Sequence, residues 1–353
     1  MDQFVRVRLI QCNSIDLNLF QFDYDLTFAA FFLNADKTIY GRFGTRSSHD
    51  EASRDISIAG FRKAMEGALE LHREYPENRA VLRDKTGPAA KFKVAHDMPS
   101  FSGRYTPFLD FQGKVAASCI HCHMLGEAVR LDVRKNAPNA PMPDPVIYPW
   151  PMPDVLGLGM DPDERSTIKQ VETGSVAAQN GFRAGDEIES IEGQPLLSTA
   201  DIQWILHQAK PPTTLDAVVR RGNNSVHLKL PLAENWRRTS DISWRTTSWD
   251  LRRIALGGLL LKPLSDAERQ NGGLQSDQLG LRVQHVGQYG NHAVAKRAGF
   301  LKDDIIVAFD GINDNVGETE LFAHILRQRR PGELVTVTVL RNGQRQEFRL
   351  KIQ

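Results

Sequence analysis

The sequence predicts an α+β fold of several domains, and three observations carry that prediction. A length of 353 residues exceeds one ordinary hydrophobic core and points to two or three domains. The stretch from Asn136 to Pro153, NAPNAPMPDPVIYPWPMP, holds seven prolines, which oppose helix and favour an extended linker. Beyond it the chain repeats itself at a separation of about 118 to 120 residues, the mark of a duplicated module.

Composition narrows the class. With 41% hydrophobic and 25% charged residues the chain reads as globular rather than disordered or fibrous. A net charge of +1 provides no field to draw nucleic acid or anionic lipid, so no nucleic-acid partner is expected. The apolar runs around Phe28 to Leu33 and Leu256 to Leu261 fall far below the about 18 residues that cross a bilayer, so no transmembrane segment is expected either. The opening MDQFVRVRLI alternates apolar and charged residues as a strand does and lacks the pattern of a secretory signal. This predicts a true start upstream of residue 1.

Residues 1–78 read as strand, loop, strand, turn, strand and helix. FVRVRL supplies the first strand. Thr27 to Leu33 and Thr38 to Tyr40 form a hairpin around the turn Asn34 to Lys37. Ser57 to Tyr75 predicts a helix, with Ile58, Phe61, Met65, Ala68, Leu69 and Leu71 or His72 at helical spacing and Pro76 as the stop. This order resembles the C-terminal half of a thioredoxin-like α/β sandwich. The resemblance implies that the redox Cys-x-x-Cys pair precedes residue 1, and Cys12 does not replace it. Residues 79–135 form an extension; Gly87, Pro88, Pro99, Gly103 and Pro107 break any long element before 118, which predicts an extended connection wrapped on the first domain.

That extension carries the chemistry. Cys119-Ile120-His121-Cys122-His123 is a C-x-x-C-H, the spacing in which two thiols bind haem c covalently and the adjacent imidazole, His123, becomes the axial ligand of the iron. His121 is a second metal-ligating candidate. Met124 to Val133 predicts a helix, and Met98, His96, Met142, Met152 and Met160 all qualify as a distal ligand. Three other readings stand beside haem: a redox dithiol of Cys119 and Cys122, a metal site completed from elsewhere, and a structural disulfide. Haem attachment and stable disulfides both belong outside the cytoplasm, which predicts a periplasmic or cell-envelope location.

In the repeat, AAQNGFRAGDEIESIEGQPL at 177–196 realigns with AKRAGFLKDDIIVAFDGIND at 295–314. Each is followed by a helix pattern, Ser198 to Ala209 and Glu318 to Gln328, and then by a hairpin whose turn holds Asn223 or Asn342 and Gly343. Both copies resemble bacterial-type PDZ domains, small β-barrels with short helices, spanning 154–232 and 255–353. The likeness rests on Ala178, Gly181, Phe182, Gly185, Asp186, Ile188, Ile191 and Gly193, and on Ala295, Gly299, Phe300, Asp304, Ile306, Phe309 and Gly311.

The resemblance implies that an extended peptide or protein C-terminus adds a strand to a sheet edge while loop amides hold its carboxylate. It places those amides at Leu156, Gly157, Leu158, Gly159 and Met160 in the first copy and at Leu256, Gly257, Gly258 and Leu259 in the second. The insertion 262–279 disturbs the second loop's geometry. Residues 233–254, rich in Trp and Arg, predict a connector that clamps domains.

No G-x-S-x-G motif or assignable Ser, His and Asp set points to a protease, and whether the chain is an enzyme stays open. The order of parts resembles thioredoxin and PDZ proteins, some of them selenoproteins, of planctomycete-type bacteria. Two functions follow as expectations: an envelope protein that captures peptides and couples this to a haem or redox segment with an electron-transfer partner, or a thioredoxin-type oxidoreductase using Cys119 and Cys122.

Overall fold

The computed structural model describes residues 2–48 and 52–353. The chain divides into two compact units, one of residues 1–128 and 148–240, the other of residues 129–147 and 241–353.

In the first unit the expected hairpin forms as β1 (Ala30–Leu33) and β2 (Ile39–Phe43), antiparallel, with Lys37 at φ +70° in the turn. A short helix, α1 (Ala52–Asp55), precedes α2 (Ile58–Arg73). Ser57 caps α2 by accepting from the Gly60 amide, which meets one of the orphan donors of the first turn. The buried face of α2 is made of small residues, Gly60, Ala64, Gly67 and Ala68, not of the large ones. A Cβ on Gly67 would lie 2.7 Å from Leu197, so close approach sets this choice. Ile58, expected in the core, is 89% exposed. Residues 79–82 form α3 (Arg79–Leu82).

Two expectations for this region are corrected. FVRVRL forms no strand: Val5 and Val7 are 95% and 78% exposed, and alternation makes a strand only where a sheet edge accepts it. Nor is the segment before 118 merely wrapped on the hairpin. Ala95, Met98, Phe101, Tyr105, Ile120, Leu125 and Ala128 build a core of their own with Cys12, Ile15 and Leu17. Asn13, fully buried, ties it together by donating to the carbonyls of Thr106 and Ser118 and accepting from the Ile120 amide. The helix expected after the second cysteine is present as α4 (Cys122–Asn136).

The proline run is not a free linker. Asp144–Ile147 forms α5, with Pro145 in its first turn where a missing N–H costs nothing. Met142 and Ile147 are buried in the second unit, and Tyr148 and Trp150 in the first, where Trp150 stacks on His207 with ring centroids 4.1 Å apart. The aromatic and apolar residues between the prolines decide the outcome.

The first repeat then folds as β3 (Leu158–Met160), β4 (Ile168–Val171), α6 (Val176–Gln179), β5 (Glu187–Ile191), β6 (Gln194–Pro195), α7 (Thr199–Gln208), β7 (Thr213–Arg221) and β8 (Asn224–Leu232). Its strands form an antiparallel sheet in the order β6-β5-β7-β8 and a separate pair β3-β4. Leu158, Ile168, Phe182, Ile188, Ile202, Trp204 and Val219 close the barrel's core.

In the second unit the same plan recurs: α8 (Ser248–Leu256), β9 (Leu259–Pro263), α9 (Asp266–Asn271), β10 (Leu281–Val286), α10 (Val294–Ala298), β11 (Ile305–Phe309), α11 (Glu318–Gln328), β12 (Leu334–Arg341) and β13 (Gln344–Lys351). Here one antiparallel sheet runs β13-β12-β11-β10-β9. The insertion folds as α9, closed by a capping box of Ser265 and Glu268, while buried Arg269 donates to the carbonyl of Gln278. No helix of the described residues is long and apolar enough to cross a membrane.

Candidate functional site

The expected loop of the first repeat sits at the start of β3. Residues 153–156 make a 3₁₀ turn that Gly157 ends at φ +85°, donating its amide to the Asp154 carbonyl at 2.8 Å. A Cβ there would meet Ser175 at 2.2 Å, so Gly157 serves the fold. Leu156 and Leu158 are buried in the core, and Gly159 and Met160 are half-buried along the strand. Strand β3 pairs only with β4, so its outer edge has no strand neighbour among the described residues.

Helix α7 shares that core through Ile202, Ile205 and Leu206, and both of its ends are held by other parts of the unit. Ser198 donates its hydroxyl to the Arg42 carbonyl at 2.6 Å. Arg237, buried, donates to the carbonyls of Leu206, His207 and Ala209, the orphan acceptors of the last turn.

The second repeat is built differently. Leu256 ends α8, and the amides of both Gly257 and Gly258 point to the Arg252 carbonyl, completing a left-handed helix cap. The amides of Gly257 and Gly258, expected to meet a carboxylate, are here bonded to the helix that runs into the loop, as the Gly157 amide is bonded to the Asp154 carbonyl. Leu259 is buried at the start of β9. Strand β9 is the last strand of its sheet, and one amide of its edge is already met by a side chain. The Glu318 carboxylate accepts from the Leu261 amide at 2.9 Å, and both its oxygens lie 3.0 Å from Arg252 Nε. The two side chains are 3% and 6% exposed. Burial pushes the Glu318 carboxyl up from its ordinary value, with Arg252 pulling the other way.

Sequence reasoning missed Glu318 and Arg252. The signal was present in the repeat, where STADIQWILHQ aligns with ETELFAHILRQ and Glu318 replaces Ser198.

The cysteines come together in an unexpected combination. Cys12 Sγ and Cys122 Sγ are 3.1 Å apart across 110 residues of chain. Cys12 is buried, whereas Cys119 and Cys122 are half-buried. The backbone brings them there: the Cys12 amide donates to the Ile120 carbonyl at 3.2 Å. Hydrogen bonding from the Cys12 thiol pulls Cys122 down to about 7, and the same contact together with burial drives Cys12 up. Cys119 is raised by burial and by the nearby Cys122 charge. Its thiol faces the Ile120 carbonyl at 3.7 Å. The rings of His121 and His123 stack with centroids 5.9 Å apart, and His123 Nδ1 is 3.8 Å from Glu127.

This arrangement gives haem attachment no support. A thioether at Cys122 would have to admit a macrocycle where Cys12, Ile120 and Leu125 are 5%, 0% and 1% exposed. Among the described residues no group of three or more His, Cys, Asp or Glu is placed to hold a metal ion.

Family models named PDZ domain match residues 167–221 and 267–352. The periplasmic pH-dependent serine endoprotease DegQ of Escherichia coli (strain K12) is 28% identical over 156 residues, which is 44% of this chain and 30% of DegQ. The chain thus spans less than a third of that relative's length. Among solved structures, the serine endoprotease from Yersinia pestis matches 19% of this chain and 25% of its own at 22% identity and a TM-score of 0.18. The HtrA-type protease AlgW with decapeptide matches 39% and 48% at 18% identity and a TM-score of 0.25. Neither PDZ match reaches residues 1–78, where the thioredoxin-like resemblance lies. From the repeat, its two barrels and the two family-model matches, the chain carries two PDZ domains.

Proposed function

We propose that this chain is a peptide-binding protein of the cell envelope, whose first PDZ domain takes a protein C-terminus or an extended segment as an added strand on β3. The observation that carries this reading is the sheet order: β3 has β4 on one side and no strand on the other among the described residues. Backbone hydrogen bonds along such an edge supply affinity, and the side-chain pockets beside it supply selectivity. Half-buried Met160 offers an apolar contact there. In the second domain Glu318 already takes the Leu261 amide of the equivalent edge, which favours the first domain as the binding one. An envelope location is supported by the likeness to DegQ, which is named periplasmic.

The test is hydrogen–deuterium exchange on the whole chain with decapeptides of varied sequence, each with a free and with an amidated C-terminus. A bound peptide is expected to protect residues 158–160, and the free carboxylate to bind more tightly than the amide. Binding that leaves β3 unprotected, or failure of the whole peptide set to bind, overturns the proposal.

A further inference from the structure

The spacing C-x-x-C directs attention to Cys119 and Cys122, yet the sulfur that Cys122 faces belongs to Cys12, 3.1 Å away. Two features make this more than a chance approach. The hydrogen bond from the Cys12 amide to the Ile120 carbonyl fixes the two backbones independently of the sulfurs. The fully buried Asn13 side chain then bonds the Ser118 carbonyl and the Ile120 amide, holding the residues on either side of Cys119 against the segment that carries Cys12. The thiols are thus held together by a network in which the sulfurs themselves take no part.

We infer that Cys12 and Cys122 form a reversible disulfide by exchange with a disulfide-bearing small molecule or protein, and that Cys119 stays a free thiol. Half-buried Cys122 is the sulfur an incoming disulfide can reach, and buried Cys12 is the resolving thiol. The Cys122 thiolate attacks one sulfur of R–S–S–R, breaks the S–S bond and expels R–S⁻, which takes the proton Cys122 gave up. The Cys12 sulfur then attacks Cys122 Sγ in the mixed disulfide, and the second R–S⁻ leaves with the Cys12 proton. The protein loses two electrons and two protons, and R–S–S–R becomes two R–SH. The bond closes a loop between positions 110 apart and fastens residue 12 to the first residue of α4.

The proposal is independent of peptide binding and is tested on the whole chain without any variant. Samples are equilibrated in glutathione buffers of graded ratio, acid-quenched, alkylated in denaturant, digested and mapped by mass spectrometry. The expected result is a Cys12–Cys122 cross-linked peptide that grows as the buffer becomes more oxidising and disappears on return to reducing buffer, while Cys119 is alkylated throughout. Cys119→Ser should leave the cross-link unchanged. A Cys119–Cys122 disulfide, alkylation of Cys12 and Cys122 at every ratio, a cross-link that reducing buffer cannot break in the folded chain, or haem mass on the Cys119–Cys122 peptide each overturns it.

Discussion

Arg252 and Glu318 face each other inside the second PDZ domain, the guanidinium Nε 3.0 Å from each carboxylate oxygen. The same carboxylate accepts from the Leu261 amide, so one internal side chain meets an outward amide of the edge strand β9. Removing one partner leaves the other charged and out of water, which costs more than the pair contributes. Arg252→Met is therefore expected to destabilise the chain by about 3–5 kcal/mol. Arg252→Met combined with Glu318→Gln should cost clearly less, because the amide oxygen still accepts from Leu261 without a buried charge. Urea unfolding at neutral pH measures both, and equal losses would show that the charge is not what the pair stabilises.

Gly258 is the position where the second domain depends most on a missing side chain. It adopts φ +92°, and a Cβ would lie 1.9 Å from the His292 carbonyl oxygen, a backbone atom that cannot swing away. Gly311 has a similar φ of +86° but no atom within 4 Å of its Cβ position. Gly311→Ala should thus cost only the left-handed conformation, roughly 1–2 kcal/mol. Gly258→Ala should cost that and the collision besides. Comparing the two variants' thermal midpoints separates backbone strain from steric exclusion.

Asp186 and Arg221 form a two-point contact, with Arg221 Nε 2.7 Å and Nη2 2.8 Å from the two carboxylate oxygens, and Asp304 with Arg341 reproduces it in the second domain. Burial raises the Asp186 carboxyl, but the bonds from Arg221 and from the Arg183 amide outweigh it and the net shift is downward. A carboxyl lowered by folding contributes stability that is full above its unfolded value of about 3.9 and is lost as pH falls through the folded value. Asp186→Asn is therefore expected to be destabilising at pH 7 and to converge on the unaltered chain in acid. Urea midpoints measured from pH 7 downward report this, and a gap that stays constant into acid would contradict it.

Where local pattern and tertiary packing agree, the sequence was a sufficient guide. The hairpin around Asn34 to Lys37, the helix expected from Ser57, α4 after Cys122 and the duplicated barrel with its Gly-Phe turn all follow from short-range signals. Long-range partners decided the rest. FVRVRL has strand alternation but no sheet neighbour in the described chain, and the proline run is captured by the burial of Ile147, Tyr148 and Trp150. At the candidate sites, the glycines of the two loops were legible. That Gly257 and Gly258 complete a helix cap was not, because it depends on α8 running unbroken into the loop. Cys12 was set aside because nothing in the sequence brings residue 12 to residue 122; only the fold of residues 95–128 does so.

Asp201 illustrates how a charged residue of α7 can be required without being exposed. Lys85 Nζ is 3.0 Å from Asp201 Oδ1, and each side chain is 1% exposed. The carboxylate also accepts from the amides of Arg42 at 3.2 Å and Leu197 at 2.9 Å. Burial lowers the Lys85 ammonium, and the neighbouring Asp201 charge opposes that shift. The two halves of the pair are thus unequal. Lys85→Met leaves a carboxylate that still has two amide donors, whereas Asp201→Ala strands those amides and the ammonium together. Asp201→Ala is expected to lose about 3–5 kcal/mol, Lys85→Met less, and Asp201→Asn to lie between because its oxygen still accepts from an amide. The order Ala, Asn, Met in urea unfolding supports this assignment. If Lys85→Met were the most damaging of the three, the ammonium rather than the amide network would be what holds α7 in place.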